Sequence, residues 1–94
     1  GVIIQTGASI GQGSIVNTGA SIDHDCSIGQ NCHLAPGVVL SGCVDIGSGT
    51  HVGTGSVIVQ GISIGTDSIV AAGSVVYKNI VSNTTLIQKK NFLK

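Results

Sequence analysis

The 94-residue sequence contains no Trp, no Met and no Arg, and it has only one Tyr, one Phe and one Pro. Large aromatic side chains usually supply much of a globular interior, so their scarcity argues against a broad core. The length allows one small domain, close to the size at which an ordinary hydrophobic core is only marginally sufficient. The hydrophobic residues make up 41% of the chain and are mostly Ile, Val, Leu and Ala. This composition suits a narrow interior lined by similar aliphatic side chains.

Positive charge is absent from most of the chain. The formal net charge is zero, and the first lysine is Lys78. Phosphate backbones are bound by clustered Lys and Arg, so we expect no nucleic-acid partner. No apolar run approaches the roughly 18 residues that a membrane-spanning helix needs, and no signal peptide is visible. We therefore expect no membrane partner and a cytoplasmic location.

A period of six residues runs through the sequence. From Ile4 onward, every sixth residue is aliphatic for thirteen positions without an insertion. Two residues before each of these lies a mostly small residue, as alternation between the two faces of a strand requires. The aliphatic positions are Ile4, Ile10, Val16, Ile22, Ile28, Leu34, Leu40, Ile46, Val52, Ile58, Ile64, Val70 and Val76.

A second row, three residues after each aliphatic residue, marks the corners. In eleven of the first twelve repeats this position is Gly, Asp or Asn, and only Cys43 departs from the pattern. These three residue types tolerate a positive φ and tight turns better than others. A short strand and a corner every six residues predict a parallel β-solenoid and exclude a helical period of 3.6.

The repeat resembles that of the hexapeptide-repeat transferases, which wind a left-handed parallel β-helix with three hexapeptides in each coil. The resemblance covers residues 1–77 and implies about four coils of 18 residues, stacked at the usual strand spacing of about 4.8 Å. It also implies a homotrimer. Residues 78–94, in which the period is not visible, are predicted to form a short irregular or helical C-terminal tail. We thus divide the chain into a β-helix domain, 1–77, and a tail, 78–94.

The stretch Ser21-Ile22-Asp23-His24-Asp25-Cys26 places a histidine between two carboxylates. His24 follows the inward Ile22 by two positions, so its side chain lies at a corner and points outward. One interpretation is a solvated corner whose acids are there because corners favour Asp. The other is a general base whose ring a neighbouring carboxylate orients and stabilises as the imidazolium. The hexapeptide pattern alone does not decide between them.

The same stretch, continued as SIDHDCSIG and followed by HLAPGVVLSG, resembles the active coil of the sialic-acid and bacillosamine-type bacterial sugar acetyltransferases. The resemblance implies that His24 is the catalytic base and that Asp25 supports it. It also implies that His33 contacts acetyl-CoA or the acceptor at a cleft between subunits. His33 lies half a coil from His24, so we expect the two on different sides of one chain. His51, one coil above His33, is expected to stack on it.

Acetyl-CoA is the only cofactor that the resemblance implies, as a co-substrate. In the family, pantetheine follows the groove between chains, which makes Gly42, Thr54 and Ala72 candidate cofactor-binding residues along with His33. The usual C-terminal adenine-binding sequence with its G-x-P-A-K piece is missing here. For a CoA phosphate the remaining cations are then Lys78, Lys89 and Lys90.

A metal is not expected. Zinc enters consideration because a carbonic-anhydrase-like family shares the fold and binds the ion with three histidines, two of them five residues apart. The histidines here are separated by nine and 18 residues. The three cysteines show no C-x-x-C spacing and their odd number does not suggest a disulfide framework. Cys26 and Cys32 belong to the inward row, whereas Cys43 occupies a corner and is expected to be exposed.

Two functions follow from these observations. The first is an acetyl-CoA-dependent acetyltransferase acting on an amino or hydroxyl group of a sugar or nucleotide sugar, with its cleft between chains of a trimer. The second is a structural β-helix domain that trimerises but lacks acceptor recognition, because relatives carry an N-terminal α/β domain that is not found in this sequence.

Overall fold

The computed structural model describes residues 1–88, and these form a parallel β-helix. It consists of fourteen strands of two residues each, separated by turns of four residues through β13, and residues 1–88 contain no helix. The strands are β1 (Ile3–Ile4), β2 (Ser9–Ile10), β3 (Ile15–Val16), β4 (Ser21–Ile22), β5 (Ser27–Ile28), β6 (His33–Leu34), β7 (Val39–Leu40), β8 (Asp45–Ile46), β9 (His51–Val52), β10 (Val57–Ile58), β11 (Ser63–Ile64), β12 (Ile69–Val70), β13 (Val75–Val76) and β14 (Thr85–Leu86).

The strands stack into three parallel sheets, one for each side of a triangular prism. The first sheet has the order β1-β4-β7-β10-β13, the second β11-β8-β5-β2, and the third β14-β12-β9-β6-β3. Up to β13, paired residues are 18 apart, as in Ile22 with Leu40 and His33 with His51. One coil therefore contains three hexapeptides, as the period predicts.

The aliphatic row fills the axis of the prism. In most strands the first residue is exposed or half-buried and the second is buried, so each sheet sends one column of side chains inward. Ile22, Leu34, Leu40 and Ile58 are fully buried. At the N-terminal end of residues 1–88 the same row is open, with Ile4 48% and Ile10 38% exposed.

The corner row has the backbone conformation that its residue types favour. Each of its glycines has a positive φ, and so have Asp25 (58°), Asn31 (56°) and Asp67 (52°). Cys43 adopts the same conformation with a φ of 59°. The sequence pattern is thus interrupted at Cys43, but the backbone geometry is not.

The solenoid has about five coils, one more than the predicted four, because pairing continues beyond Tyr77. Ile80 forms a bridge with Ile64, and Leu86 pairs with Val70. Both separations are 16 residues instead of 18, so the coil is two residues shorter at the corner that follows Val76. An uninterrupted period of six would place Ser82 and Gln88 inward. Because both are polar, the row of aliphatic residues at this period ends at Val76 in the sequence, and the last coil is not predicted. Residues 89–94 lie outside the described part of the chain.

The inward hydroxyl groups donate to backbone carbonyl oxygens, in most cases those of a neighbouring coil. Thr50 Oγ1 donates to the Gly65 carbonyl oxygen at 2.7 Å, and Ser56 Oγ donates to that of Ala71 at 3.1 Å. Within residues 1–88, no buried side-chain nitrogen or oxygen lacks a partner. Since an unpaired buried polar group costs about 1–3 kcal/mol, these bonds make polar residues acceptable in a narrow core.

Candidate active site

His24 lies in the turn between β4 and β5, at the edge where the first and second sheets meet. The coil above holds this turn in place, because the Cys43 amide donates to the His24 carbonyl oxygen at 3.0 Å. The Asp23 amide donates to the Leu40 carbonyl oxygen, also at 3.0 Å. The histidine is therefore carried by a hydrogen-bonded ladder, although its side chain is 52% exposed.

The two acids beside His24 make different contacts. Asp25 Oδ2 lies 3.2 Å from His24 Nδ1, whereas Asp23 Oδ1 accepts a hydrogen bond from the His24 backbone amide at 2.7 Å. A carboxylate only accepts hydrogen bonds, so Nδ1 carries the proton that it shares with Asp25. In the neutral ring the lone pair is then on Nε2. The arrangement can accept a proton at Nε2 and stabilise the resulting imidazolium through Asp25.

Two glycines make room for this pair. The imidazole extends over Gly42, where a Cβ atom would lie 2.6 Å from Nε2 and 2.7 Å from Cε1. The carboxylate extends over Gly7 in the coil below, where a Cβ atom would overlap Asp25 Oδ1. Gly42 is buried, and its φ lies outside the left-handed region. Position 42 therefore needs a glycine because the His24 ring occupies the space of a side chain, and not because of its backbone conformation.

Cys43 completes the group of polar side chains at this edge. One ligand-type atom from each of His24, Asp25 and Cys43 lies within 4.8 Å of the other two, and all three residues are exposed. The other two cysteines are buried in the core, as their inward positions predict. Burial raises the pKa of the Cys26 thiol, whose Sγ donates to the Ser41 carbonyl oxygen at 3.1 Å. The exposed Cys43 is thus the thiol available at the surface of residues 1–88.

His33 lies on the third sheet, opposite the edge that carries His24. Its ring contacts His51 edge to face, with 4.6 Å between the ring centroids, which agrees with the expected stacking. Its Nε2 lies 3.5 Å from Asn17 Nδ2. The single chain therefore keeps His24 and His33 apart, as the spacing of half a coil predicts.

The remaining predicted cofactor residues divide between two edges. Gly42 lies at the edge of His24, one coil above it. Thr54 and Ala72 lie one above the other at the edge between the third and first sheets, and both are exposed. Lys78 is exposed and lines a pocket of about 360 Å³ towards the C-terminal end, together with residues such as Tyr77, Ile80 and Leu86. Lys89 and Lys90, also predicted for a CoA phosphate, lie outside the described residues.

Two family models of hexapeptide-repeat proteins match the chain. Residues 7–42 match the family model of the bacterial transferase hexapeptide with six repeats, and residues 43–78 match that of the hexapeptide repeat of succinyl-transferase. Together the two models cover residues 7–78, and the chain belongs to the hexapeptide-repeat family. No significant match is found among curated protein sequences.

Several solved structures of this family are similar to the chain. The acetyltransferase domain of PglB from Neisseria gonorrhoeae, in complex with acetyl coenzyme A, is 36% identical with a TM-score of 0.88. A variant of perosamine N-acetyltransferase from Caulobacter crescentus, in complex with CoA and GDP-perosamine, is 40% identical with a TM-score of 0.90. WeeI from Acinetobacter baumannii is 26% identical with a TM-score of 0.77.

These similarities extend over most of the chain but over only part of each relative. They cover 89%, 90% and 93% of this chain, and 41%, 40% and 52% of the respective relatives. The chain thus spans about two fifths of the first two. No helix within residues 1–88 is long and apolar enough to cross a membrane.

Proposed function

We propose that the chain carries the catalytic coil of an acetyl-CoA-dependent acetyltransferase that acts on an amino or hydroxyl group of a sugar or nucleotide sugar. The observation that carries this proposal is the pairing of His24 Nδ1 with Asp25 at 3.2 Å, which leaves Nε2 available as a base at an exposed edge. Similar structures bind acetyl-CoA, or CoA together with GDP-perosamine, which supports this class of substrates.

The chemistry needs only a base and a positioned thioester. His24 Nε2 accepts the proton of the acceptor amine or hydroxyl while the acceptor attacks the thioester carbonyl carbon. Asp25 stabilises the imidazolium during this step. When the carbon–sulfur bond breaks, His24 returns the proton to the departing CoA sulfur. His33 and backbone amides of neighbouring coils position the thioester, with Gly42, Thr54 and Ala72 along the pantetheine path.

A homotrimer reconciles the positions of these residues. His24 and Gly42 lie on one edge of the prism, whereas His33 lies on the opposite sheet and Thr54 and Ala72 on a second edge. Packing the edge of one chain against the third sheet of another brings the two sets together. The catalytic cleft then lies between chains, with the base from one and His33 from its neighbour.

The outward rows of the sheets support association through particular faces. The first sheet exposes Ile3 at 54%, Val39 at 37% and Val75 at 47%, and the third exposes Ile15 at 56% and Ile69 at 50%. The outward row of the second sheet is polar and consists of Ser9, Ser27, Asp45 and Ser63. Exposed aliphatic residues of this kind mark surfaces that partners cover, so the first sheet and the third, whose outward row also carries His33 and His51, form the proposed interfaces, and the second faces solvent.

The test is acetyl transfer from acetyl-CoA to a panel of amino-sugar nucleotides, with released CoA measured by chromatography. His24→Ala is expected to lower the rate by about 10²- to 10⁴-fold, the usual contribution of a positioned acid–base group, and to leave the trimer folded. Asp45→Ala is the matched control, because it removes an exposed polar side chain from the second sheet, away from the proposed cleft. A near-normal rate in His24→Ala contradicts the proposed mechanism.

A second candidate is a trimerising β-helix domain without acceptor recognition. It is the alternative that the sequence leaves open, since the G-x-P-A-K piece of the family's usual adenine contact is missing from residues 78–94. Calorimetric titration with acetyl-CoA separates the two candidates. A purely structural domain gives no heat of binding, whereas the proposed enzyme binds acetyl-CoA, and the acceptor panel then reports on recognition of the sugar.

A further inference from the structure

We propose that His24, Asp25 and Cys43 form a binding site for a thiophilic divalent cation such as Zn²⁺, and that occupation of this site blocks acetyl transfer. The binding half of this proposal rests on the geometry of the edge alone. The inhibitory half rests on the proposed function of His24. The cation is a regulator of the site and takes no part in the transfer reaction.

The three side chains offer a nitrogen, an oxygen and a sulfur in one place. One such atom from each residue lies within 4.8 Å of the other two, and His24 Nδ1 and Asp25 Oδ2 are 3.2 Å apart. Tetrahedral zinc has bonds of about 2.0–2.3 Å to these atoms, which places its ligand atoms roughly 3.3–3.6 Å from one another. The nitrogen and oxygen are thus near the required separation, and the group as a whole has to contract by no more than about 1 Å. All three side chains are exposed and free to make this adjustment.

The backbone directs Cys43 towards the other two ligands. At three corners of the same kind, the side chain leans over the glycine of the preceding coil: Asp25 over Gly7, Asn31 over Gly13, and Asp67 over Gly49. Cys43 has the same positive φ and lies one coil above Asp25. Its thiol, although exposed, lies within 4.8 Å of ligand-type atoms of both Asp25 and His24.

The chemistry of the ligands favours a soft cation over Mg²⁺ or Ca²⁺. Thiolate and imidazole suit zinc, whereas the lighter cations take oxygen ligands. An ionised Cys43 and Asp25 together balance the two positive charges of the ion. Three protein ligands leave a fourth tetrahedral position open, as in zinc sites that exchange a ligand. Because the thiol loses its proton on binding, zinc affinity rises with pH.

Binding at His24 removes the base from the reaction. A cation held by a ring nitrogen occupies the lone pair of His24 or displaces its hydrogen bond with Asp25. In either case the ring no longer accepts a proton from the acceptor with the support of the carboxylate. We therefore expect reversible inhibition that a chelator relieves.

The experiment titrates Zn²⁺ into the reduced full chain by competition with a chromogenic chelator. We expect one tight site per chain, and Cys43→Gly is expected to weaken it by roughly 10-fold or more, since even the partners of metal ligands contribute 10- to 100-fold. Glycine is the fitting replacement because it occupies most corners of this row with a positive φ. His51→Ala is the control for zinc held by the stacked His33 and His51 pair, and it is expected to leave the tight site intact.

Cobalt provides a readout that is independent of activity. With Co²⁺ the full chain is expected to show a thiolate-to-cobalt charge-transfer band that is absent in Cys43→Gly. Equal zinc affinity in the two proteins, or no such band, overturns the site. Acetyl transfer is expected to fall at stoichiometric Zn²⁺ and to recover with EDTA in the unmodified chain, and to persist in Cys43→Gly. Unchanged turnover with zinc bound contradicts the proposed inhibition. If the metal-free chain transfers no acetyl group at all, the proposed function is contradicted, and the zinc-binding measurements alone still decide whether the site exists.

Discussion

The imidazole of His24 lies directly over Gly42, the residue at the equivalent position in the next coil. A Cβ atom at position 42 would be 2.6 Å from His24 Nε2, which is closer than side-chain atoms approach one another. The ring therefore has its orientation because residue 42 has no side chain. Gly42 acts on the proposed reaction by positioning the base, in addition to any contact with the cofactor.

Gly42→Ala is the most selective test of this relationship. The added methyl group needs no unusual backbone conformation, because the φ of Gly42 lies outside the left-handed region. We expect the exposed ring to turn away, which preserves the fold and lowers the rate of acetyl transfer by up to about 10²-fold, as a displacement of about 1 Å can do. Steady-state rates and the melting temperature of the variant provide the measurement.

The double variant His24→Ala with Gly42→Ala supplies the control. If the methyl group acts through the ring, Gly42→Ala changes the free energy of unfolding in the presence of His24 but not in its absence. The double-mutant cycle then shows a coupling energy between the two positions. Unchanged activity in Gly42→Ala, or an equal effect on stability with and without His24, contradicts the positioning role.

The fold up to Val76 could be predicted from the sequence because each hexapeptide repeats the same physical requirements. An inward aliphatic residue, a small inward neighbour and a corner residue recur in phase, and the pairs 18 residues apart follow. The last coil could not be found in this way. The corner after Val76 is two residues shorter, so Ile80 and Leu86 fall out of phase with the thirteen earlier positions.

The candidate site was predictable in its centre and less so in its surroundings. The motif and the period together placed His24 outward at a corner beside Asp25, where the structure has them. The period also places residue 42 one coil above His24, but it does not show that the ring bends upward over it. Likewise, the period predicts that Cys43 is exposed. Its approach to within 4.8 Å of ligand-type atoms of His24 and Asp25 depends on the orientations of the three side chains, which the period does not determine.

Asp25→Asn tests the carboxylate without disturbing the backbone. Asparagine tolerates the positive φ of this corner, as Asn31 and Asn83 do at 56° and 61°. Loss of the negative charge removes the support of the imidazolium, so we expect the rate to fall by roughly 10-fold or more, within the range of acid–base contributions, at an unchanged melting temperature. Asp67→Asn, at another corner with a φ of 52°, is the matched control and is expected to leave the rate unchanged. Equal rates in the two variants would show that Asp25 is only a corner residue.

Val39→Lys tests the proposed trimer. Val39 lies in the outward row of the first sheet, with 37% of its surface exposed in the single chain. A lysine buried at an interface loses hydration without an opposite charge, so we expect dissociation into monomers in sedimentation velocity experiments. Ser27→Lys places the same charge on the polar second sheet and is expected to leave the trimer intact. Dissociation by both variants, or by neither, would contradict the assignment of the interface.

The shortened last coil predicts opposite behaviour of two adjacent residues. Ile80 is half-buried and packs against the core, whereas Val81 is 77% exposed. Ile80→Ala is expected to destabilise the fold by about 1–2 kcal/mol, less than the roughly 2–5 kcal/mol typical of large-to-small changes at a fully buried site. Val81→Ala is expected to change stability by no more than about 0.5 kcal/mol, as exposed substitutions usually do. Denaturant unfolding of both variants gives the comparison. Equal and small effects would mean that residues 78–88 do not add a coil to the solenoid in solution, and a larger effect in Val81→Ala would mean that the phase of this coil is different.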